Sequence, residues 1–115
     1  MIKMNVIIVD DDPLVVESLK TIISANGINI LAVGYNGNDA VKLYEKHKPD
    51  LILMDIRMEN LNGIEAAKKI LKMDSEAKIL LITTFQDQEY IAQALSIGCK
   101  GYILKYNIKG IIPAI

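Results

Sequence analysis

The sequence of 115 residues predicts one α/β domain, a (βα)5 three-layer sandwich in which helices cover both faces of a parallel sheet. Apolar runs of four to six residues alternate with stretches whose apolar residues recur at a helical period. Gly, Pro and Asn residues mark the boundaries between them. No linker, internal repeat or low-complexity tract divides the chain, so we expect a single domain over residues 1–115.

Five apolar segments have the length and composition of buried strands. They lie at 5–9, 28–33, 51–55, 79–82 and 102–104. A stretch with helical spacing follows each of them. The residues predicted to face the sheet are Val15, Leu19, Ile22, Ala40, Leu43, Tyr44, Ile64, Ala67, Leu71, Ile91, Ala94, Leu95, Gly98, Ile108, Ile111, Ile112 and Ile115.

Polar, Gly and Pro residues predict where the first and last helices begin and end. Asp12 is predicted to cap the first helix, with Pro13 as its first residue, and Asn26–Gly27 to end it. Pro113 predicts a late start for the last helix, because proline is tolerated only in a first turn. The last apolar stripe reaches Ile115 with no stop signal. We therefore expect a truncated last helix and a chain that is a fragment of a longer protein.

Composition argues against several classes of function. The net charge is −1 and the charges are interspersed, which gives no basic field for nucleic acid. The single Cys99 cannot form an intramolecular disulfide, and the chain shows no signal-peptide pattern. Apolar runs stay far below the roughly 20 residues that a membrane span needs. We expect a cytoplasmic domain that has no membrane segment and does not bind DNA by itself.

Polar side chains follow four of the predicted strands. Asp10 and Asp11 follow the first, Asp55 ends the third, Thr83 follows the fourth and Lys105 follows the fifth. The carboxyl ends of parallel strands meet at one edge, where open α/β sheets bind ligands. The sequence therefore predicts three carboxylates, a hydroxyl and an ammonium in one site.

This combination of groups predicts magnesium and phosphate chemistry. Two carboxylates about 4 Å apart repel by on the order of 4 kcal/mol at an effective dielectric near 20, and a divalent cation removes that repulsion. Mg²⁺ prefers oxygen ligands and is held by one or two carboxylates with water and phosphate oxygens. Asp55 is then available to attack phosphorus and form an acyl phosphate. Lys105 and Thr83 are suited to neutralise and hydrogen-bond the phosphoryl oxygens.

The whole chain resembles the receiver domains of two-component response regulators, the CheY-like family. Residues 9–13 resemble the family's acidic pocket, residues 49–55 its phosphoacceptor strand and residues 101–105 its lysine strand. Residues 83–85, followed by Asp87 and by Glu89 and Tyr90, resemble the subgroup with a LuxR/NarL-type helix-turn-helix output domain. Four motifs in the family's order and spacing carry the resemblance.

The resemblance implies a flavodoxin-like fold with strand order 2-1-3-4-5, whose switch point lies between the first and third strands. It also implies a role for each site residue. Asp55 is the phosphoacceptor, Lys105 its ion partner, Thr83 the switch hydroxyl and Tyr102 the aromatic rotamer switch. The implied Mg²⁺ ligands are Asp11, Asp55 and the backbone carbonyl of Arg57, with Asp10 acting through water.

The resemblance implies partners as well. The phosphoryl donor is a sensor histidine kinase, phosphorylation favours a homodimer, and DNA is bound only through a C-terminal helix-turn-helix outside this chain. The domain promotes its own phosphorylation and dephosphorylation and is not a turnover enzyme. Two positions depart from the family pattern, since Glu59 and Tyr106 stand where the family often has proline.

Several alternatives remain open at this stage. A haloacid dehalogenase-type phosphatase also uses a strand-end Asp with Mg²⁺, but it places a second Asp where this chain has Arg57. A flavodoxin needs a phosphate cradle where residues 10–13 are anionic, and a pseudo-receiver would serve only for docking. At single positions, Thr84 rivals Thr83, Tyr102 is alternatively a core residue and Lys105 a surface lysine whose stem packs on apolar neighbours.

Overall fold

Five strands and five α-helices alternate along the part of the chain that the computed structural model describes, residues 4–58, 61–83 and 88–115. The elements are β1 (Asn5–Val9), α1 (Pro13–Ala25), β2 (Asn29–Gly34), α2 (Gly37–His47), β3 (Leu51–Asp55), α3 (Gly63–Met73), β4 (Ile79–Thr83), α4 (Gln88–Ile97), β5 (Gly101–Leu104) and α5 (Ile111–Ala114). A 3-10 helical segment with a kink at Asn107, Lys105–Gly110, joins β5 to α5. All five predicted strands are present, and none of their ends is displaced by more than one residue. No helix in these described ranges is both long and apolar enough to cross a membrane.

The five strands form one parallel sheet in the order β2-β1-β3-β4-β5, which confirms the prediction. Every residue of β3 and β4 is buried, as expected for the central strands of a sheet covered on both faces. The register pairs Val9 with Met54, Asp55 with Ile82, and Thr83 with Leu104. The carboxyl ends of β1, β3, β4 and β5 therefore lie along one edge of the sheet.

Two apolar layers enclose the sheet. Successive residues of a strand point to opposite faces, so Ile7 belongs to one layer and Ile8 to the other. The first layer packs α2, α3 and α4 against the sheet, and the second packs α1 and α5. This is the predicted three-layer sandwich.

Two of the predicted helix faces need correction. Helix α1 buries Val16, Leu19 and Ile23, while Val15 and Ile22 are only partly buried at the flanks of that stripe. The apolar arc of α1 is wide, so its period alone does not fix the centre of the buried face. In α4, Leu95 is 48% exposed, because the helix turns its face at Ala94 toward the sheet.

The other three faces agree better with prediction. The predicted residues that are buried are Ala40, Tyr44, Ile64, Ala67 and Ile111. Those that are partly buried are Leu43, Leu71, Ile112 and Ile115. On the corrected face of α4, Gly98 is likewise exposed rather than inward-facing, and its φ of +113° suits the residue that ends this helix.

The predicted helix boundaries follow their capping residues. An Asp12 carboxylate oxygen accepts a hydrogen bond from the backbone N–H of Leu14 at 3.0 Å, which confirms Asp12 as the N-cap of α1. Helix α1 ends where predicted, with Gly27 at a φ of +76°. Helix α5 begins at Ile111, so Pro113 lies in its first turn.

Cys99 lies between α4 and β5, and its backbone N–H donates to the carbonyl of Ala94 at 3.0 Å. The side chain is 7% exposed and packs in the first apolar layer. Burial raises the pKa of the Cys99 thiol to about 11. The residue is the small buried apolar side chain that the sequence predicts.

Candidate functional site

Three polar side chains are buried where the central strands end. Asp10 follows β1, Asp55 is the last residue of β3 and Thr83 the last residue of β4. Their relative exposures are 0%, 2% and 0%. Buried polar groups are costly in an apolar sheet unless they are paired or serve a function. The structure thus brings together the residues that the sequence predicts.

Lys105 lies directly after β5 and reaches both buried carboxylates. Its Nζ donates a hydrogen bond to Oδ2 of Asp55 at 3.0 Å and lies 3.6 Å from Oδ2 of Asp10. The contact with Asp55 excludes the alternative in which Lys105 is only a surface lysine. One ammonium group faces two buried carboxylates, so the pocket retains excess negative charge.

Burial and this charge balance shift the pKa of all three groups. Burial, followed by the nearby charge of Asp10, raises the pKa of Asp55 to about 7, although Lys105 acts in the opposite direction. Burial also raises the pKa of Asp10, against the stabilising hydrogen bond from the backbone N–H of Asp12. For Lys105, burial alone would lower the pKa, but the hydrogen bond to Asp55 and the surrounding carboxylates raise it overall. Lys105 therefore remains an ammonium group.

The same carboxylates have the arrangement of a cation site. Asp10, Asp11 and Asp55 each offer one oxygen, and these oxygens all lie within 4.8 Å of one another. Oδ2 of Asp10 is buried and makes no hydrogen bond. Asp11, the third member of the cluster, is exposed. The donor set is all oxygen, which suits a hard divalent cation such as Mg²⁺.

A pH-dependent response to Mg²⁺ is the first prediction. In the unfolded chain an Asp ionises at about pH 4. Between about pH 4 and about pH 7, Asp55 of the folded chain therefore holds a proton that the unfolded chain has released. Without metal, the free energy of unfolding should therefore fall as pH rises through this window. Mg²⁺ binds the ionised pocket, so it should raise the melting temperature more at pH 8 than at pH 5. Thermal melts at both pH values, with MgCl₂ or EDTA, measure this; an equal rise at both would contradict it.

The two predicted switch residues, Thr83 and Tyr102, differ in burial. Thr83 is fully buried at the site, whereas Tyr102 on β5 is 44% exposed. The alternative that Tyr102 is a core residue is therefore wrong, and its role as a rotamer switch stays a prediction. Thr84, Phe85, Asp87 and Glu59 lie outside the described residues. The choice between Thr83 and Thr84 as switch hydroxyl stays open, as does the assignment of the Arg57 carbonyl as a metal ligand.

Two contacts around the site have no counterpart in the sequence predictions. The guanidinium carbon of Arg57 lies 5.9 Å from the ring centroid of Tyr90 on α4, within the range of a cation–π contact. The backbone N–H of Asp10 donates to the carbonyl of Gly34 at the end of β2, at 3.1 Å. Both join segments that are far apart in sequence, and neither produces a local pattern of residue types.

Known proteins place the chain in a family. A model of the response regulator receiver domain matches residues 6–114. The chain is 39% identical over 101 residues to chemotaxis protein CheY of Thermotoga maritima, covering 88% of this chain and 84% of that protein. It is 36% identical over 104 residues to transcriptional regulatory protein DegU of Brevibacillus brevis, covering 90% of this chain and 44% of DegU. The chain spans about half the length of such curated transcriptional regulators.

Solved structures agree with this assignment. A DNA-binding response regulator of the LuxR family from Staphylococcus aureus matches with a TM-score of 0.89 and 29% identity, covering 96% of this chain and 94% of that one. The CheX–CheY–BeF₃–Mg²⁺ complex of Borrelia burgdorferi contains a chain that matches with a TM-score of 0.90 and 28% identity, covering 96% and 85%. The fold, the acidic pocket and these matches show that the chain belongs to the response regulator receiver domain family of two-component signalling, among relatives of the CheY and LuxR/NarL types.

Proposed function

We propose that this receiver domain accepts a phosphoryl group on Asp55 in a Mg²⁺-dependent reaction, with a sensor histidine kinase as the physiological donor. The observation that carries the proposal is the position of Asp55, which is buried at the end of β3 with Nζ of Lys105 at 3.0 Å. The family match supports it. So does the similar Borrelia burgdorferi complex, which contains Mg²⁺ together with BeF₃.

The residues of the pocket divide the chemistry among them. A carboxylate oxygen of Asp55 attacks phosphorus, and the bond from phosphorus to the donor breaks as the acyl phosphate forms. Lys105 already contacts this carboxylate and is placed to neutralise charge on a phosphoryl oxygen. The buried hydroxyl of Thr83 is suited to donate to another oxygen. Asp11, Asp55 and the backbone carbonyl of Arg57 would hold a Mg²⁺ ion, with Asp10 acting through water, and the ion would supply the remaining charge neutralisation.

Intact mass spectrometry tests the proposal directly. The protein is incubated with acetyl phosphate and MgCl₂, and then with acetyl phosphate and EDTA. We expect the mass of one added phosphoryl group only with Mg²⁺, and its removal by hydroxylamine, which cleaves acyl phosphates. A protein that stays unmodified with Mg²⁺, or that carries a hydroxylamine-stable group, would contradict the proposal.

The alternative functions receive no support from the described contacts. In a haloacid dehalogenase-type phosphatase the residue two after the nucleophile is an acid/base Asp, but this chain has Arg57 there, packed over Tyr90. A docking-only pseudo-receiver does not require buried carboxylates that share a lysine. A flavodoxin would not belong to the receiver family. Steady hydrolysis of a generic phosphate ester would favour the phosphatase.

We also propose an output for the signal. The similarity to DegU and to the DNA-binding regulator of Staphylococcus aureus supports a role in transcription, with a C-terminal helix-turn-helix reading the major groove. Phosphorylation would then favour a homodimer whose two-fold axis matches paired half-sites. The similarity to CheY of Thermotoga maritima supports instead a receiver that acts alone. The mass of the protein made from the native gene distinguishes the two.

Thr83→Ala and Lys105→Ala give a further prediction about signal transmission. Both variants should still be phosphorylated to some extent, because Asp55 and the acidic cluster remain. Both should weaken the response in α4 and β5, since the proposed phosphoryl contacts from Thr83 and Lys105 are lost. Amide NMR shifts measured before and after phosphorylation test this, with Thr83→Ser as the variant that keeps the hydroxyl. Shifts in α4 and β5 that persist unchanged in both alanine variants would refute the switch roles.

A further inference from the structure

The turn from β2 to α2, residues 34–39, contacts Asp10 of the acidic pocket and Leu61 in the connection from β3 to α3, although it supplies no carboxylate to the pocket. On one side, the carbonyl of Gly34 accepts the backbone N–H of Asp10 at 3.1 Å. On the other side, Gly37 at the start of α2 lies against Leu61, in the connection from β3 to α3. The turn therefore contacts both the end of β1 and the segment that follows the phosphoacceptor strand.

The approach of Gly37 to Leu61 leaves no room for a side chain. A Cβ at residue 37 would overlap the carbonyl oxygen of Leu61 and lie 2.6 Å from its carbonyl carbon and 2.7 Å from its Cβ. These are mainly backbone atoms, which cannot move aside as a flexible side chain can. Gly37 does not have a positive φ. Space, not backbone conformation, is thus the reason that this position holds glycine.

The connection from β3 to α3 also contacts the end of β3, through Gly63. The backbone N–H of Gly63 donates to the carbonyl of Ile56 at 2.7 Å. A Cβ at residue 63 would overlap the carbonyl oxygen of Asp55 and lie 2.9 Å from the Cα of Ile56. The segment from Leu61 to Gly63 is therefore packed between the start of α2 and the end of β3.

Two hydrogen bonds from backbone to side chain hold the turn together. Oδ1 of Asn36 accepts the backbone N–H of Asp39 at 2.8 Å and caps α2. Oδ2 of Asp39 accepts the backbone N–H of Tyr35 at 2.9 Å. Together these bonds hold the backbone of Gly37 at a fixed position relative to β2.

We propose that Gly37 is a positioning residue for the phosphoacceptor site: its missing side chain lets α2 hold the segment from Leu61 to Gly63 against the end of β3. This inference rests on the proposed function and extends it to a residue outside the acidic pocket. A shift of this segment would be transmitted through Gly63 to the backbone of Asp55, which displaces the carboxylate from its partners. Positional errors of about 1 Å in a reacting group are sufficient to slow a reaction by as much as 10²-fold.

Gly37→Ala tests the inference, with Gly101→Ala as the matched control. A Cβ at residue 101 would meet only Cδ1 of Leu80, at 3.5 Å, an ordinary van der Waals contact. For Gly37→Ala we expect the affinity for Mg²⁺ to fall by about tenfold or more. We expect the same loss in the rate of phosphorylation by acetyl phosphate at saturating Mg²⁺. Both are measured well below the melting temperature. Gly101→Ala should remain within about twofold of the unmodified protein, because its new methyl group displaces nothing.

Two further measurements separate positioning from loss of stability. The amide NMR signals of Ile56 and Gly63 should shift in folded Gly37→Ala and not in Gly101→Ala. If Gly37→Ala does not fold, Asn36→Ala decides, because loss of the cap loosens the start of α2 without adding bulk; Asn26→Ala, at the distant end of α1, is its control. We expect weaker Mg²⁺ binding and slower phosphorylation in Asn36→Ala only.

The outcomes distinguish this inference from the proposed function. An unmodified protein that binds Mg²⁺ but gains no phosphoryl group contradicts the proposed function. A protein that is phosphorylated normally, with Gly37→Ala matching Gly101→Ala in Mg²⁺ affinity, rate and amide signals, overturns the positioning role alone. A lower melting temperature with unchanged Mg²⁺ affinity and rate overturns it as well.

Discussion

Asp55→Asn is expected to abolish phosphorylation by acetyl phosphate. An amide is a poor nucleophile at phosphorus, and the substitution also removes one of the three negative charges around the cation site. The fold should persist, because Asn has nearly the shape of Asp and its carbonyl oxygen can still accept from Lys105. The loss should therefore reach the detection limit of intact mass spectrometry while circular dichroism is unchanged.

Asp12→Asn is the matched control for that experiment. Asp12 lies two residues from Asp10 but serves as the N-cap of α1, and Asn caps helices as well as Asp does. We expect normal phosphorylation of this variant. Undiminished labelling of Asp55→Asn, or equal losses in both variants, would mean that Asp55 is not the phosphoacceptor.

Asp10→Asn is expected to make the metal-free protein more stable. Asp10 is fully buried, shares Lys105 with Asp55 and adds to the raised pKa of Asp55. An amide removes this repulsion and still accepts the backbone N–H of Asp12. Loss of the Asp10 charge lowers the pKa of Asp55, so at pH 8 we expect the free energy of unfolding to rise by on the order of 1 kcal/mol. The further increase in the free energy of unfolding that Mg²⁺ brings to the unmodified protein should be largely lost in this variant.

Asp11→Asn is the comparison that assigns this effect to burial. Asp11 belongs to the same carboxylate cluster but is exposed, so its charge is well solvated. Its replacement should weaken Mg²⁺ binding and stabilise the metal-free protein less than Asp10→Asn does, because its charge raises the pKa of Asp55 less than the charge of Asp10 does. Urea unfolding at pH 8, with EDTA or MgCl₂, measures both quantities. Equal stabilisation by the two substitutions would show that burial of Asp10 is not the cause.

The strands could be predicted closely from the sequence, whereas the buried faces of α1 and α4 could not. Strands that are buried on both faces are continuous apolar runs, and polar or Gly residues bound them sharply. In α1 the apolar arc is wide enough to include both Val15 and Val16, and only packing against the sheet decides which is buried. Leu95 was misplaced for the same reason, since α4 contacts the sheet through the small Ala94.

The residues of the site could be predicted because parallel strands end at one edge of the sheet. The difference in burial between these residues could not be predicted. Asp10 and Asp11 are chemically identical neighbours, yet one is enclosed and the other exposed. The path of the chain after β1 decides this. Nor could the role of Gly37 be inferred, because an approach between two backbones leaves no pattern of side chains.

The reactivity of the buried Cys99 thiol can report local opening of the protein. The thiolate is the reactive form of cysteine, and a thiol with a pKa of about 11 that is 7% exposed offers almost none of it to a reagent at neutral pH. Disulfide exchange must therefore wait until the junction of α4 and β5 opens. Because the chain has a single cysteine, the rate of that exchange measures opening at one defined place. That place adjoins the two elements expected to respond to phosphorylation, so the kinetics of one native thiol can follow the response without any added label.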